Sequence, residues 1–127
     1  MTQAIVNYDG HHARVSSLLS APIAKIVAEA LNCTGKNGHL SPDQVKIKFQ
    51  EFGDLDETRG CSVIIQIDAD DCTHRQTNFQ TMNDNIAEGI QQLFSNQGVI
   101  LSGTGSSRRK ISIETRLIPT AYTEFEI

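Results

Sequence analysis

The sequence contains no tryptophan, and aromatic residues make up only 6% of its 127 residues. It also lacks long hydrophobic runs. The longest, such as Val63-Ile64-Ile65, is far shorter than the ~20 residues that a membrane-spanning helix needs. The N-terminus, Met-Thr-Gln-Ala, has no basic segment followed by an apolar one, so no secretory signal is predicted. We therefore expect a cytoplasmic protein without membrane contact.

Cysteine is scarce. Cys33, Cys61 and Cys72 are irregularly spaced and no CxxC pair occurs, which argues against a zinc knuckle or a dithiol redox motif. Reduced thiols in ordinary packing positions are the simplest interpretation.

Motifs of common hydrolases are also missing. The histidines are His11, His12, His39 and His74, and none has the HExxH spacing of a zinc hydrolase. There is no GxSxG elbow either. The sequence predicts no metal site and no cofactor.

Basic residues are outnumbered, 11 against 15 acidic ones, which gives a net charge of −4 and argues against nucleic acid as a partner. Two local charge clusters have competing interpretations. Residues 103–110, Gly-Thr-Gly-Ser-Ser-Arg-Arg-Lys, resemble a phosphate loop, but a strand follows instead of a helix, which favours a surface loop. Residues 68–71, Asp-Ala-Asp-Asp, could hold a cation, but acidic residues before a helix are favoured by its dipole alone.

Hydrophobic periodicity predicts four strands. Residues 4–8 and 45–50 alternate between apolar and polar side chains, residues 63–67 form a continuous apolar stretch typical of a central strand covered on both sides, and residues 111–117 form a last long strand. The tail, residues 122–127, could add a short strand.

Two helices lie between these strands. Apolar residues recur at helical spacing from Ile23 to Leu31, and we expect this helix to begin near Ser20 with Ser20 as its cap. A second apolar stripe runs from Phe79 to Phe94, with Thr73 or Thr77 near its start.

The order strand–helix–strand, repeated twice, predicts a single α+β domain over residues 1–127. Two βαβ units would form a four-stranded mixed sheet with two helices on one face. The other sheet face would lack cover. With Ile64, Val45 or their neighbours facing outward, this face predicts self-association.

Four cations could converge on a carboxylate ligand. Lys46 and Lys48 share the polar face of the second strand, Arg75 lies at the start of the second helix, and Arg116 lies near the end of the last strand. Guanidinium groups pair with carboxylates bidentately. As solvated surface charges, however, the four residues need no special explanation.

The segments 62–67, Arg75, 79–94 and 111–120 resemble the second half of the tautomerase superfamily, nearest to 5-carboxymethyl-2-hydroxymuconate isomerase. The first half agrees in layout, with a strand near residue 1, a helix, and a strand after Ser41-Pro42-Asp43-Gln44. The resemblance implies a homotrimer whose three sheets surround a centre. It also implies an isomerase in which an N-terminal proline amine moves a proton on an enol or keto acid while arginines hold the substrate's carboxylates.

The sequence departs from this pattern at the proposed base, because Thr2 follows Met1 where the family has proline. Arg75 falls within about one residue of a family arginine, and Lys46 or Lys48 lies on the strand that carries another. The resemblance thus implies Thr2 and Arg75 as catalytic candidates and Lys46, Lys48 and Arg116 as substrate-binding candidates.

Two functions remain open. The first is a tautomerase-like protein that either uses a base other than proline or has lost activity and binds a small carboxylate. The second is a non-enzymatic ferredoxin-like regulatory or interaction module, which has the same order of strands and helices. The two differ in strand neighbours: each βαβ unit pairs its own strands in the tautomerase layout, whereas another strand lies between them in the ferredoxin-like layout.

Overall fold

The computed structural model describes residues 2–9, 17–33, 39–53, 61–96 and 110–118. The strands are β1 (Thr2–Tyr8), β2 (Val45–Glu51), β3 (Cys61–Asp70) and β4 (Lys110–Ile118), and the helices are α1 (Ser20–Leu31), α2 (Thr73–Thr77) and α3 (Phe79–Asn96). Short 3₁₀ helices at Ser17–Leu19 and Pro42–Gln44 precede α1 and β2. The predicted strands and helices are therefore present, with the second helical stretch divided into α2 and α3.

The start of α1 differs from the predicted cap. Leu19 holds the N-cap position in a helical conformation, φ −77° and ψ −10°, and Ser20 is already the first helical residue. The preceding 3₁₀ turn leads directly into the helix, so no extended residue is left to place a capping side chain. The helix ends as predicted after Leu31, where Asn32 turns extended and its backbone N–H donates to the carbonyl of Ala28.

The sheet order is β2-β1-β3-β4. β1 pairs with β2 in parallel, β3 pairs with β4 in parallel, and β1 pairs with β3 antiparallel. Each βαβ unit thus pairs its own two strands, and the antiparallel pair joins the two units. This order confirms the predicted mixed sheet and excludes the ferredoxin-like layout.

One face of the sheet is covered by helices. α1 contacts α3 and β2, and α3 contacts β4. Alternate residues of β1 and β3 point into this layer and are fully buried: Ala4, Val6, Val63, Ile65 and Ile67. Burial of these apolar side chains is the main stabilising contribution of the core.

The other face, which we call the open face, has no helix over it among the described residues. Ile64 lies on it half-buried, as predicted, but Val45 does not: it is 7% exposed and packs in the core, where it neighbours Thr2 across the β1–β2 ladder. The expectation that β3 is covered on both sides is wrong for the single chain, because Ile64, Gln66 and Asp68 remain half-buried.

Several predicted features lie outside the described residues: the strand at 122–127, the loop at 103–109 and the pair His11-His12. Within the described part of the chain, no helix is long and apolar enough to cross a membrane.

The two long helices approach closely at Gly89 of α3. A Cβ atom at this position would lie 2.8 Å from Cγ2 of Ile26 on α1, well inside van der Waals contact. Ile26 is β-branched and its χ1 rotamer is restricted within a helix, so its methyl group cannot easily swing away. Glycine at position 89 therefore sets the spacing of α1 and α3.

We expect Gly89→Ala to destabilise the protein by about 1 kcal/mol, because overpacking against Ile26 outweighs the gain in helix propensity. In an Ile26→Ala background the same substitution should instead stabilise by about 1 kcal/mol, since only the propensity gain is left. Urea unfolding of the four proteins measures both effects. Equal effects of Gly89→Ala in the two backgrounds would show that the contact does not set the spacing.

Candidate functional site

The open face carries three rows of side chains, each running across the four strands. The strand register defines them. In the order β2, β1, β3, β4 the first row is Lys46, Gln3, Asp68, Arg116; the second is Lys48, Ile5, Gln66, Glu114; and the third is Gln50, Asn7, Ile64, Ser112. Of these twelve residues only Ile5 and Ile64 are apolar, so the three rows are mainly polar. Ile118 lies on the same face beyond Arg116 and is 43% exposed.

The first row contains an ion pair. Nε of Arg116 donates to Oδ1 of Asp68 at 2.9 Å, and Nη2 donates to Oδ2 at 3.1 Å. Nε2 of Gln3 donates to Oδ2 of the same carboxylate at 3.5 Å. Hydrogen bonding to Asp68, with the carboxylate charge, raises the pKa of the Arg116 guanidinium. The charge of Arg116 is thus largely balanced by Asp68 before any ligand binds.

Lys46 and Lys48 lie at the other end of the first two rows, on the edge strand β2. Both side chains are exposed, and neither has an ion-pair partner in the described part of the chain. Residues two apart in a strand lie on the same face about 7 Å from each other. The two lysines, which we call the cationic pair, therefore share one face of β2 beside Gln3 and Ile5, their register partners on β1.

Hydrogen bonds between β1 and β3 hold the side-chain amides of Asn7 and Gln66 on the open face. Nδ2 of Asn7 donates to the carbonyl of Ile64 at 3.3 Å and to Oε1 of Gln66 at 3.4 Å. These contacts cross the β1–β3 ladder and hold the centre of the face in a defined arrangement.

Thr2 lies on the opposite side of the sheet from the lysines. It is the first residue of β1, is 3% exposed, and neighbours Val45 on the helix-covered face. Because strand side chains alternate, Gln3 and not Thr2 joins the open face. The structure does not bring Thr2 together with Lys46, Lys48 or Arg116.

Arg75 is also away from the open face. It is 3% exposed within α2; its Nε donates to the carbonyl of Leu31 at 3.0 Å and its Nη1 to the carbonyl of Asp70 at 2.7 Å. The first carbonyl belongs to the last turn of α1 and the second to the end of β3. Arg75 therefore connects the two βαβ units through the carbonyls of the last residue of α1 and the last residue of β3.

The acidic segment after β3 has local partners. Both carboxylate oxygens of Asp71 accept from Nε2 of Gln76 at 2.8 Å, across the first turn of α2, while Asp68 belongs to the first row. Among the described residues, no group of three or more histidine, cysteine or acidic side chains could hold a metal ion. His39 and His74 are both exposed.

Sequence reasoning did not single out Gln3 or Asn7, or Asp68 as the partner of Arg116. The alternation of β1 did carry a signal for the amides, because Gln3, Ile5 and Asn7 alternate with the buried Ala4 and Val6. The partner of Arg116 could not be read in this way, since it depends on β4 lying beside β3.

The fold defined by this sheet order is the tautomerase-like α+β fold, and it is shared with solved structures. A macrophage migration inhibitory factor-like protein from Entamoeba histolytica matches 98% of this chain and 95% of its own, with a TM-score of 0.50 and 12% identity. A second protein, native Ps01740, matches 97% of this chain and 99% of its own, with a TM-score of 0.52 and 13% identity. No protein-family model matches the sequence, and no curated protein matches it. At such low identity the likeness concerns the fold.

We expect Arg75→Lys to destabilise the protein by about 3 kcal/mol, because a lysine head cannot reach both carbonyls in the same fork and leaves buried groups unpaired. Guanidinium chloride unfolding measures the loss. The matched control is Arg116→Lys on the exposed surface, which should not change stability measurably. Equal stability of Arg75→Lys and the wild type would contradict a buried connecting role.

Proposed function

We propose that this protein binds a small keto or enol acid on the open face of its sheet, with Lys46 and Lys48 holding the carboxylate. The observation that carries the proposal is the cationic pair itself: two exposed lysines on one face, without an anionic partner in the described residues. An ammonium group donates charge-assisted hydrogen bonds, which are the strongest that a carboxylate accepts at a protein surface.

The neighbouring residues support a small ligand. Gln3 lies beside Lys46 and offers an amide, whereas Ile5 beside Lys48 offers an apolar contact for a carbon skeleton. Arg116 lies at the far end of the first row, where Asp68 already balances its charge. In this proposal Arg116 therefore contributes less to binding than either lysine.

Binding without proton transfer is the form of this function that the geometry favours. The fold family's reaction depends on an amine at the start of β1, and here Thr2 occupies that position with its side chain on the helix-covered face. Arg75 contacts backbone carbonyls of α1 and β3. Neither catalytic candidate lies among the lysines, so an isomerase would require a base elsewhere.

Self-association is part of the same proposal. The open face leaves Ile5 and Ile64 half-buried, and it lacks a covering layer among the described residues. Three copies arranged around a centre, as the tautomerase resemblance implies, would enclose this face. The carboxylate site would then lie inside the assembly, where reduced solvent contact strengthens the interaction of the lysines with an anion.

We expect Lys46→Gln and Lys48→Gln each to raise the Kd for phenylpyruvate about tenfold, since each removes a charge-assisted contact worth about 1.5 kcal/mol. Isothermal titration calorimetry measures the affinity. Lys25→Gln is the matched control: it removes the same charge from an exposed position on α1. An unchanged Kd in the Lys46→Gln/Lys48→Gln protein, or an equal loss in Lys25→Gln, would contradict the site.

Multi-angle light scattering should give a particle about three times the 14.0 kDa chain mass. The physical reason is that association would cover the open face, over which no helix lies among the described residues. A monomer across a range of protein concentrations would contradict the assembly. The lysine substitutions would still test ligand binding on the single chain.

A further inference from the structure

Two cysteines that are distant in the sequence meet at one end of the helical layer. Cys33 follows the last residues of α1, and Cys72 immediately precedes α2. Their Sγ atoms lie 3.8 Å apart although 39 residues separate them along the chain. A disulfide has an S–S bond of about 2.05 Å, so a further approach of about 2 Å would bring the two Sγ atoms to bonding distance.

The two thiols differ in access. Cys33 is 6% exposed and its Sγ donates to the carbonyl of Leu31 at 3.5 Å, whereas Cys72 is half-buried and reachable from solvent. Burial, followed by the contact with Cys72, raises the pKa of the Cys33 thiol, and the nearby Arg75 opposes this shift. A reagent from solution would therefore react with Cys72 first, and Cys33 would be the second thiol to react.

We propose that Cys33 and Cys72 form a reversible modification site, which a low-molecular-weight disulfide converts to an intramolecular disulfide. The Cys72 thiolate attacks one sulfur of the reagent, forms a mixed disulfide and releases one small thiol. The Cys33 thiolate then attacks Sγ of Cys72 and releases the second small thiol. The protein loses two protons and two electrons, and the reagent gains both as two thiols.

The cross-link would tie the two βαβ units together. Cys33 belongs to the first unit and Cys72 to the second, so the bond would lie next to the Arg75 contact with Leu31. A covalent link across 39 residues restricts the unfolded chain and raises stability. The inference goes beyond ligand binding, because no residue of the open face takes part in it.

The test is to incubate the full-length protein with glutathione disulfide and follow it by intact mass, thiol titration and non-reducing peptide mapping. We expect two of the three thiols to disappear, the mass to fall by two hydrogens, and a peptide linking Cys33 to Cys72 to form. The oxidised protein should have a higher Tm, and dithiothreitol should reverse every change.

Substitutions of single cysteines separate the steps. Cys33→Ser should stop at a stable glutathione adduct on Cys72, since the second thiol is missing. Cys61→Ser is the matched control and should oxidise like the wild type, because Cys61 lies at the start of β3 and takes no part in the pair. The proposal is overturned if the wild type keeps a stable glutathione adduct on Cys72, links Cys72 to another molecule, or retains all its thiols.

Discussion

The antiparallel pairing of β1 with β3 is the interaction on which the rest of this structure depends. It is the one ladder that joins the two βαβ units within the described sheet, and it places Ala4 opposite Ile67 and Val6 opposite Ile65. All four side chains are fully buried. A shift of one residue would turn them to the open face and expose them to water, so burial fixes the register.

The same register determines the chemistry of the open face. Fixing Ala4 and Val6 inward leaves Gln3, Ile5 and Asn7 outward, beside the lysines of β2 on one side and the residues of β3 on the other. Core packing therefore determines which side chains of β1 lie on the open face. Polar side chains are concentrated there, whereas the thiol pair and Arg75 lie in the helical layer. No contact among the described residues joins the lysines to the cysteines. We therefore expect oxidation of the thiols to leave the open face unchanged.

Much of this arrangement could be predicted from the sequence, because periodicity reports burial directly. The alternation of β2 placed Lys46 and Lys48 on one face, and the apolar stretch of β3 indicated a central strand. The cap at Ser20 and the outward position of Val45 were wrong. The first depends on the 3₁₀ turn Ser17–Leu19, which leads directly into the helix. The second conflicts with the alternation of β2 itself, which places Val45 on the face opposite Lys46 and Lys48.

The site was harder to predict than the fold, because its contacts join distant parts of the chain. That Asp68 balances Arg116 requires β4 beside β3, and that Cys33 meets Cys72 requires the end of α1 to lie against the start of α2. Arg75 could be recognised as a cation at a helix start, but its contacts with Leu31 and Asp70 depend on the same packing. The spacing of residues along the chain does not predict such long-range contacts.

The central proposal is that the open face binds a small carboxylate through Lys46 and Lys48 and that Thr2, at the start of β1, takes no part in proton transfer. The most direct measurement is the rate of phenylpyruvate tautomerisation at a protein concentration that saturates the ligand. The rate should equal that in buffer alone, because Thr2 lies on the covered face, away from the lysines. A clear acceleration by the wild-type protein that is lost in Lys46→Gln/Lys48→Gln would contradict the account, because it would show that the bound acid is isomerised.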